Sequence, residues 1–302
     1  MRRIRTALGL LALALSAQAG ADASGMSQAE PARAALLQSP VWMERDGART
    51  PLAPGALLQA GDRVVTGPRG HAQLVLPDGS VVKLGEAAQF QIAALDRVDD
   101  GAGGVLAGSL RVLKGAFRFT THALTQLQRR DLAITVGVAT IGVRGTDLWG
   151  KSDAKGDRVC LLEGHVEIDV ENGAPVTLEH ANTVLDLPHG ASAQSPAAVP
   201  PPQVAALKAQ TEPDAARPVL LADGAWAVAL DSAPAPAPAQ AAAHRLGERG
   251  YPVEVVQAQV RGQTWYRTLL RGFADEAQAR RFLPQAKKLG FASPWVLKPG
   301  AP

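Results

Sequence analysis

Trp265, Arg267 and Arg271 stand in one uninterrupted run, QTWYRTLLRGF (residues 263–273), at spacings of two and four. In a strand such spacings put all three on one face together with Leu269, and leave Tyr266, Thr268 and Leu270 to the other. An indole offers its apolar face to flat C–H surfaces, and guanidinium groups donate to hydroxyl and acetamide-type oxygens. The row therefore suits stacking and hydrogen bonding rather than bond breaking. Ser232, at the end of an earlier strand-like run, is expected to add a hydroxyl to it.

A second constellation lies in ITVGVATIGVRGTDLW (residues 134–149), where Gly142 and Gly145 flank Val143-Arg144 and Asp147 follows. Glycines that interrupt a β-branched run mark a bulge or a close backbone approach. Arg144 and Asp147 would point to opposite faces of a regular strand; a bulge at Gly145 would bring them together as a bidentate ion pair. The first reading is a structural clasp. The second is a ligand or partner site, because strained segments do occur where proteins bind.

Catalytic signatures are missing from the sequence. It holds no nucleophile elbow, phosphate-cradling loop, zinc motif or convincing carboxylate pair. Glu163 and Asp147 fall in β-like runs as structural acids, and none of the six histidines forms a pair at metal-ligand spacing. No enzymatic activity, cofactor or metal is expected. Cys160 is the only cysteine, which excludes an intramolecular disulfide, and its setting in RVCLLEG reads as a buried small hydrophobe.

The elements that position these groups fall into two domains behind a leader. Arg2, Arg3 and Arg5 precede an apolar run at residues 7–15, and Ala17-Gln18-Ala19 offers a small-x-small cleavage site. This is the pattern of a cleavable secretory signal, residues 1–19. Removing its three arginines leaves 28 basic against 28 acidic residues, so the basic composition implies no nucleic-acid partner. After the leader no run is long enough to cross a bilayer as a helix. Residues 20–35 read as a disordered or short helical segment.

Residues 36–188 read as all-β, a sandwich or solenoid of short strands. Asp46-Gly47, Asp78-Gly79 and Asn172-Gly173 are pairs favoured in type I′ hairpins. Leu74 and Leu76, Phe117 and Phe119, and Val166, Ile168 and Val170 alternate with polar neighbours. Residues 122–130 are the best helical candidate. Residues 190–219 turn rich in Ala, Pro, Ser and Gln and read as a semi-rigid linker, with a short helix at 203–210. Residues 222–300 follow the order βαββαβ: strands at 224–232, 251–260, 263–273 and 293–299, and helices at 239–250 and 275–290. That order gives a two-layer α+β unit with both helices on one face of the sheet. Trp265 and its arginines then fall on the uncovered face.

ATIGVRGTD, together with AGDRVVTGPRGHAQLVLPDGSVVKLG at residues 60–85, resembles the FecR-like domain, a periplasmic all-β module named after a regulator of iron-citrate uptake. The resemblance favours the solenoid-like form of the all-β fold. WYR…GF followed by DEAQARRFL and closed by LGF is similar to the sporulation-related repeat, or SPOR domain, over residues 222–299. That family binds peptidoglycan, prefers glycan strands stripped of stem peptides and gathers at division septa. Its first strand commonly carries glutamine and then Gly-Ser-Phe, where this chain has Ala229, Asp231, Ser232 and Ala233. The resemblances imply a non-enzymatic, periplasmic, peptidoglycan-associated protein. Trp265, Arg267, Arg271 and Ser232 would hold glycan strands, while Gly142, Arg144, Gly145 and Asp147 mark a structural or partner-binding motif for another envelope protein. The alternative is a FecR-type signalling protein acting through a separate membrane partner.

Overall fold

The computed structural model describes residues 31–98, 105–121, 129–143 and 145–300. The expected export leader (residues 1–19), Arg144 and residues 122–128 of the helical candidate lie outside them. Arg129 and Arg130, the end of that candidate, open the strand Arg129–Val136 instead.

The first domain is two β layers around one core, and the chain passes repeatedly between them. In one layer the strands containing Ile92, Leu110, Ile134, Ile141 and Ile168 pair so that these five residues meet side by side. All five are fully buried. The other layer has a matching row, Ala34, Leu74, Val82, Phe119, Leu148 and Leu161. Burying each large apolar side chain in such a row contributes about 1.5–3 kcal/mol. The period-two alternation of the sequence is thus the cause of the fold: it gives every strand one face that can share this core.

One long strand, Val105–Thr120, belongs to both layers. Its first part pairs with Gln89–Val98 and, in parallel, with Arg129–Val136; its last part pairs with Val81–Leu84 and Asp147–Asp153. The change of layer falls at Gly115, whose φ is +83°, and a Cβ there would come within 2.6 Å of the Ala88 Cα. Only glycine permits that crossing.

Each of the three turn pairs joins two hairpin strands, but only Asp46-Gly47 has both φ values positive. At Asp78-Gly79 the aspartate accepts from the Ser80 N–H at 2.9 Å and leaves positive φ to Gly79 alone. The domain also begins earlier than composition implied. Ala32–Gln38 is a strand with Ala32, Ala34 and Leu37 fully buried, paired with His71–Val75.

Residues 190–221 are laid along the first domain as a strap. The helix α1 (Pro201–Ala209) starts with prolines, whose missing N–H groups cost nothing at a helix start. It buries Val204 and Leu207 against Trp149, Cys160 and Leu162 on the outside of one layer. Beyond it Glu212 takes Lys83 Nζ at 2.6 Å, and the Gln38 amide donates to the Asp214 carbonyl at 3.0 Å. Arg217 donates to the carbonyls of Ser39 and Arg69. The low apolar content of this stretch made it read as a linker; two buried side chains and these polar anchors hold it down.

The C-terminal unit has the expected two layers. Its antiparallel sheet runs, in space, Val253–Val260, Gln263–Phe273, Trp226–Ala233 and Trp295–Leu297. The helices α2 (Pro236–Glu248) and α3 (Glu276–Lys288) cover one face, where Val228, Leu230, Leu246, Leu270, Phe273 and Phe282 join the core. The Asp275 side chain caps α3 by accepting from the Gln278 N–H at 2.7 Å. The run APAPAPA supplies the first turn of α2.

Candidate functional site

The strand Gln263–Phe273 is central in its sheet, and an unbroken register with Val253–Val260 fixes which way each side chain points. Thr268 is buried on the helix side and its hydroxyl meets the Ala239 carbonyl of α2 at 3.4 Å. Leu269 points the other way, into a small cluster with Ala227, Ala229 and Leu297 that no helix covers. By the same alternation Trp265, Arg267 and Arg271 lie on the helix-free face, as the sequence reading expected. Trp265 is half-buried there, opposite Ala258 across the ladder.

Ser232 and Arg267 are direct partners across the ladder between Trp226–Ala233 and the central strand. A bulge at Leu230 produces that match, because the extra residue shifts the register between Ala229 and Asp231. The Arg267 guanidinium stands 5.9 Å from the centroid of the Trp295 ring. Trp295, half-buried on the edge strand Trp295–Leu297 and paired with Ala229, joins this face, and sequence reasoning missed it. Its only signal was an aromatic residue in a short final strand. Arg271 is partly engaged: its Nε donates to Glu254 on the neighbouring strand. The face therefore presents two indoles and one arginine between them, with a serine hydroxyl alongside and a second arginine held by a carboxylate. This set can stack on saccharide rings and donate to their oxygens. It contains no nucleophile and base in contact.

Gly145 has φ +67°, and Asp147 gives both carboxylate oxygens to Arg118, at 2.9 Å to Nε and 2.6 Å to Nη2. Arg144, the partner anticipated from spacing, lies outside the described residues. The Thr120 hydroxyl adds a 3.3 Å contact to Asp147, and Arg118 Nη1 reaches Glu212 of the strap at 3.5 Å. The bidentate bond to Asp147 raises the Arg118 pKa against the opposing effect of burial. Gly142 is exposed with open space where a Cβ would sit. Cys160 is fully buried, and loss of solvation pushes its thiol up to about 11. Among the described residues no group of histidine, cysteine and acidic side chains is arranged to hold a metal ion.

Two family models match the chain. The one described as FecR protein matches residues 62–167, and the one described as SPOR domain matches residues 222–298. The chain thus carries, in order, the two modules its motifs resemble. No curated protein matches it. Two crystal structures described as a "putative anti-sigma factor from Parabacteroides distasonis ATCC 8503" are similar. One is 15% identical over 74% of this chain and 91% of that chain, the other 12% identical over 67% and 96%, each with a TM-score of 0.39.

Proposed function

We propose that the chain is a non-enzymatic envelope protein that binds the glycan strands of peptidoglycan through the helix-free face of its C-terminal sheet, with the FecR-type domain as scaffold or partner-binding module. The observation that carries this reading is the half-buried Trp265 on the uncovered face, in a row with Arg267, which in turn stands 5.9 Å from the Trp295 ring. Trp265 and Trp295 stack on sugar rings, Arg267 and Ser232 donate to their oxygens, and Arg271 contributes once a ligand oxygen competes with Glu254. Weak stacking repeated along a polymer gains strength from avidity.

The way the two domains meet supports the same reading. The helical side of the C-terminal unit docks on the first domain: Trp42 Nε1 donates to the Gly247 carbonyl at 3.3 Å, and the Val41 N–H to the Gly250 carbonyl at 3.2 Å. The sheet face opposite the helices is left for a ligand. A periplasmic, wall-associated location follows from this role and from the leader. The matched FecR region favours a second reading, a regulatory protein. No helix among the described residues is long and apolar enough to cross a membrane, so that role would work through a separate membrane partner.

Cosedimentation with purified sacculi tests the proposal. The full chain should pellet with sacculi, more strongly after amidase removes the stem peptides, and Trp265→Ala should remain in the supernatant. Unchanged pelleting of Trp265→Ala discards this face as the site.

A further inference from the structure

The outside of the first domain, beside the strap, carries a groove that the glycan reading does not use. Two cavities, of about 470 and 830 Å³, meet beneath the C-terminal end of α1 and share Lys151, Asp153 and Gln210. Together they form an elongated trough with strands Asp147–Asp153 and Gly156–Glu163 on its floor and the strap as one wall. Each volume is on the scale of an ordinary ligand site, roughly 300–1,000 Å³, and their continuity suits an extended chain.

The lining says what kind of chain. Two buried polar atoms with no hydrogen-bond partner belong to residues that line the trough: Trp149 Nε1, a donor, and His71 Nδ1. These residues are 1% and 9% exposed. Buried groups left without partners are costly and uncommon in folded proteins, and one at each end of the trough marks it as a place where polar partners are missing. The amide side chains of Gln194 and Gln210 at the rim offer both donors and acceptors. A peptide backbone presents alternating N–H and C=O groups that answer such a lining.

Charge narrows the choice further. Asp153 is paired with Lys151 at 3.0 Å, Glu212 with Lys83 at 2.6 Å, Asp214 with Arg69 at 2.9 Å, and Asp186 with Arg158. Lys155 in one cavity and Lys114 in the other are exposed, and neither ammonium has a carboxylate partner among the described residues. Glu86, beside Lys114, is held by one backbone N–H, that of Arg69. Open charges of both signs suit a ligand with side chains of both signs. They suit an uncharged saccharide poorly. We propose that this trough binds an extended peptide segment bearing both carboxylate and ammonium side chains. The proposal is independent of the glycan face.

Fluorescence anisotropy of the full chain with a fluorescein-labelled peptide of alternating Glu and Lys tests it. Saturable, salt-sensitive binding is expected. Lys155→Glu should weaken it roughly tenfold, the scale of losing one charged contact, and Gln210→Trp should block the point where the cavities join. Both positions are exposed, so thermal melting of the two variants should match that of the parent. The proposal is overturned by absence of saturable binding up to about 1 mM, by binding unchanged in both variants, or by a neutral chitooligosaccharide displacing the peptide.

Discussion

The Arg267 guanidinium lies 5.9 Å from the centroid of the Trp295 ring, on the sheet face that α2 and α3 leave uncovered. A cation held over an indole at a partly exposed site is worth about 0.5–1 kcal/mol, so the contact sets the pose of both groups more than the stability of the domain. Trp295→Ala should therefore leave the melting temperature within a few degrees of the parent while reducing retention on sacculi. Equal retention would remove Trp295 from the site.

Asp147 and Arg118 form a bidentate ion pair in the first domain, with side chains 12% and 18% exposed. Removing one member of a buried pair costs about 3–5 kcal/mol when the other is left uncompensated, and here Arg118 keeps Glu212 at 3.5 Å. Urea unfolding of Asp147→Asn should show a loss below that range, and the double variant Asp147→Asn/Arg118→Met should lose less than the two single losses added together. Strict additivity would mean that the pair is not coupled.

Gly250 ends the turn after α2 with φ +76°, and a Cβ there would come within 2.8 Å of Pro40 and of the Trp42 ring. Gly250→Ala should strain the backbone by roughly 1 kcal/mol and push the domains apart. Limited proteolysis would then cut within residues 215–225 faster than in the parent. A cleavage rate equal to the parent's would show that the Trp42 contact does not govern docking.

Asp214 is held below its ordinary value of 3.8, first by the Ala216 N–H and then by Arg69. A depressed carboxylate stabilises the fold fully above its unfolded value, and that contribution is lost as pH falls through the lower folded value. The strap should stay anchored at neutral pH and loosen only below about pH 4. Amide exchange of residues 211–217 followed down the pH scale, corrected for intrinsic rates, checks this. Loosening that sets in near pH 6 would point to another group.

Cys160 behaves in the opposite sense. Its thiol pKa is raised from 9.0 to about 11 by burial, so the folded chain holds the proton more tightly than the unfolded one. The stability tied to it is complete below pH 9 and declines between 9 and 11. Thiol reagents at pH 8 should label Cys160 only when denaturant is present; rapid labelling of the native protein would contradict the burial.

Much of this was legible in the chain because the deciding patterns are local. QTWYRTLLRGF alternates cleanly and forms the strand Gln263–Phe273 with the expected residues on each face. Asp275 and Glu276 announce the start of α3. What sequence reasoning missed depends on contacts distant along the chain. Trp295 joins the site only because its strand pairs with Ala229. Arg118 meets Asp147 because Val105–Thr120 changes layer at Gly115. The strap is anchored by Val204 and Leu207 finding Trp149 and Cys160, which its Ala/Pro composition does not advertise.

The most direct measurement is a calorimetric titration of the full chain, parent and Trp265→Ala/Arg267→Glu, with glycan strands freed of stem peptides. Saturable binding by the parent and a loss of about tenfold or more in the variant, with both proteins melting alike, is the predicted result. Equal affinities for parent and variant would contradict the assignment of this face to wall glycan.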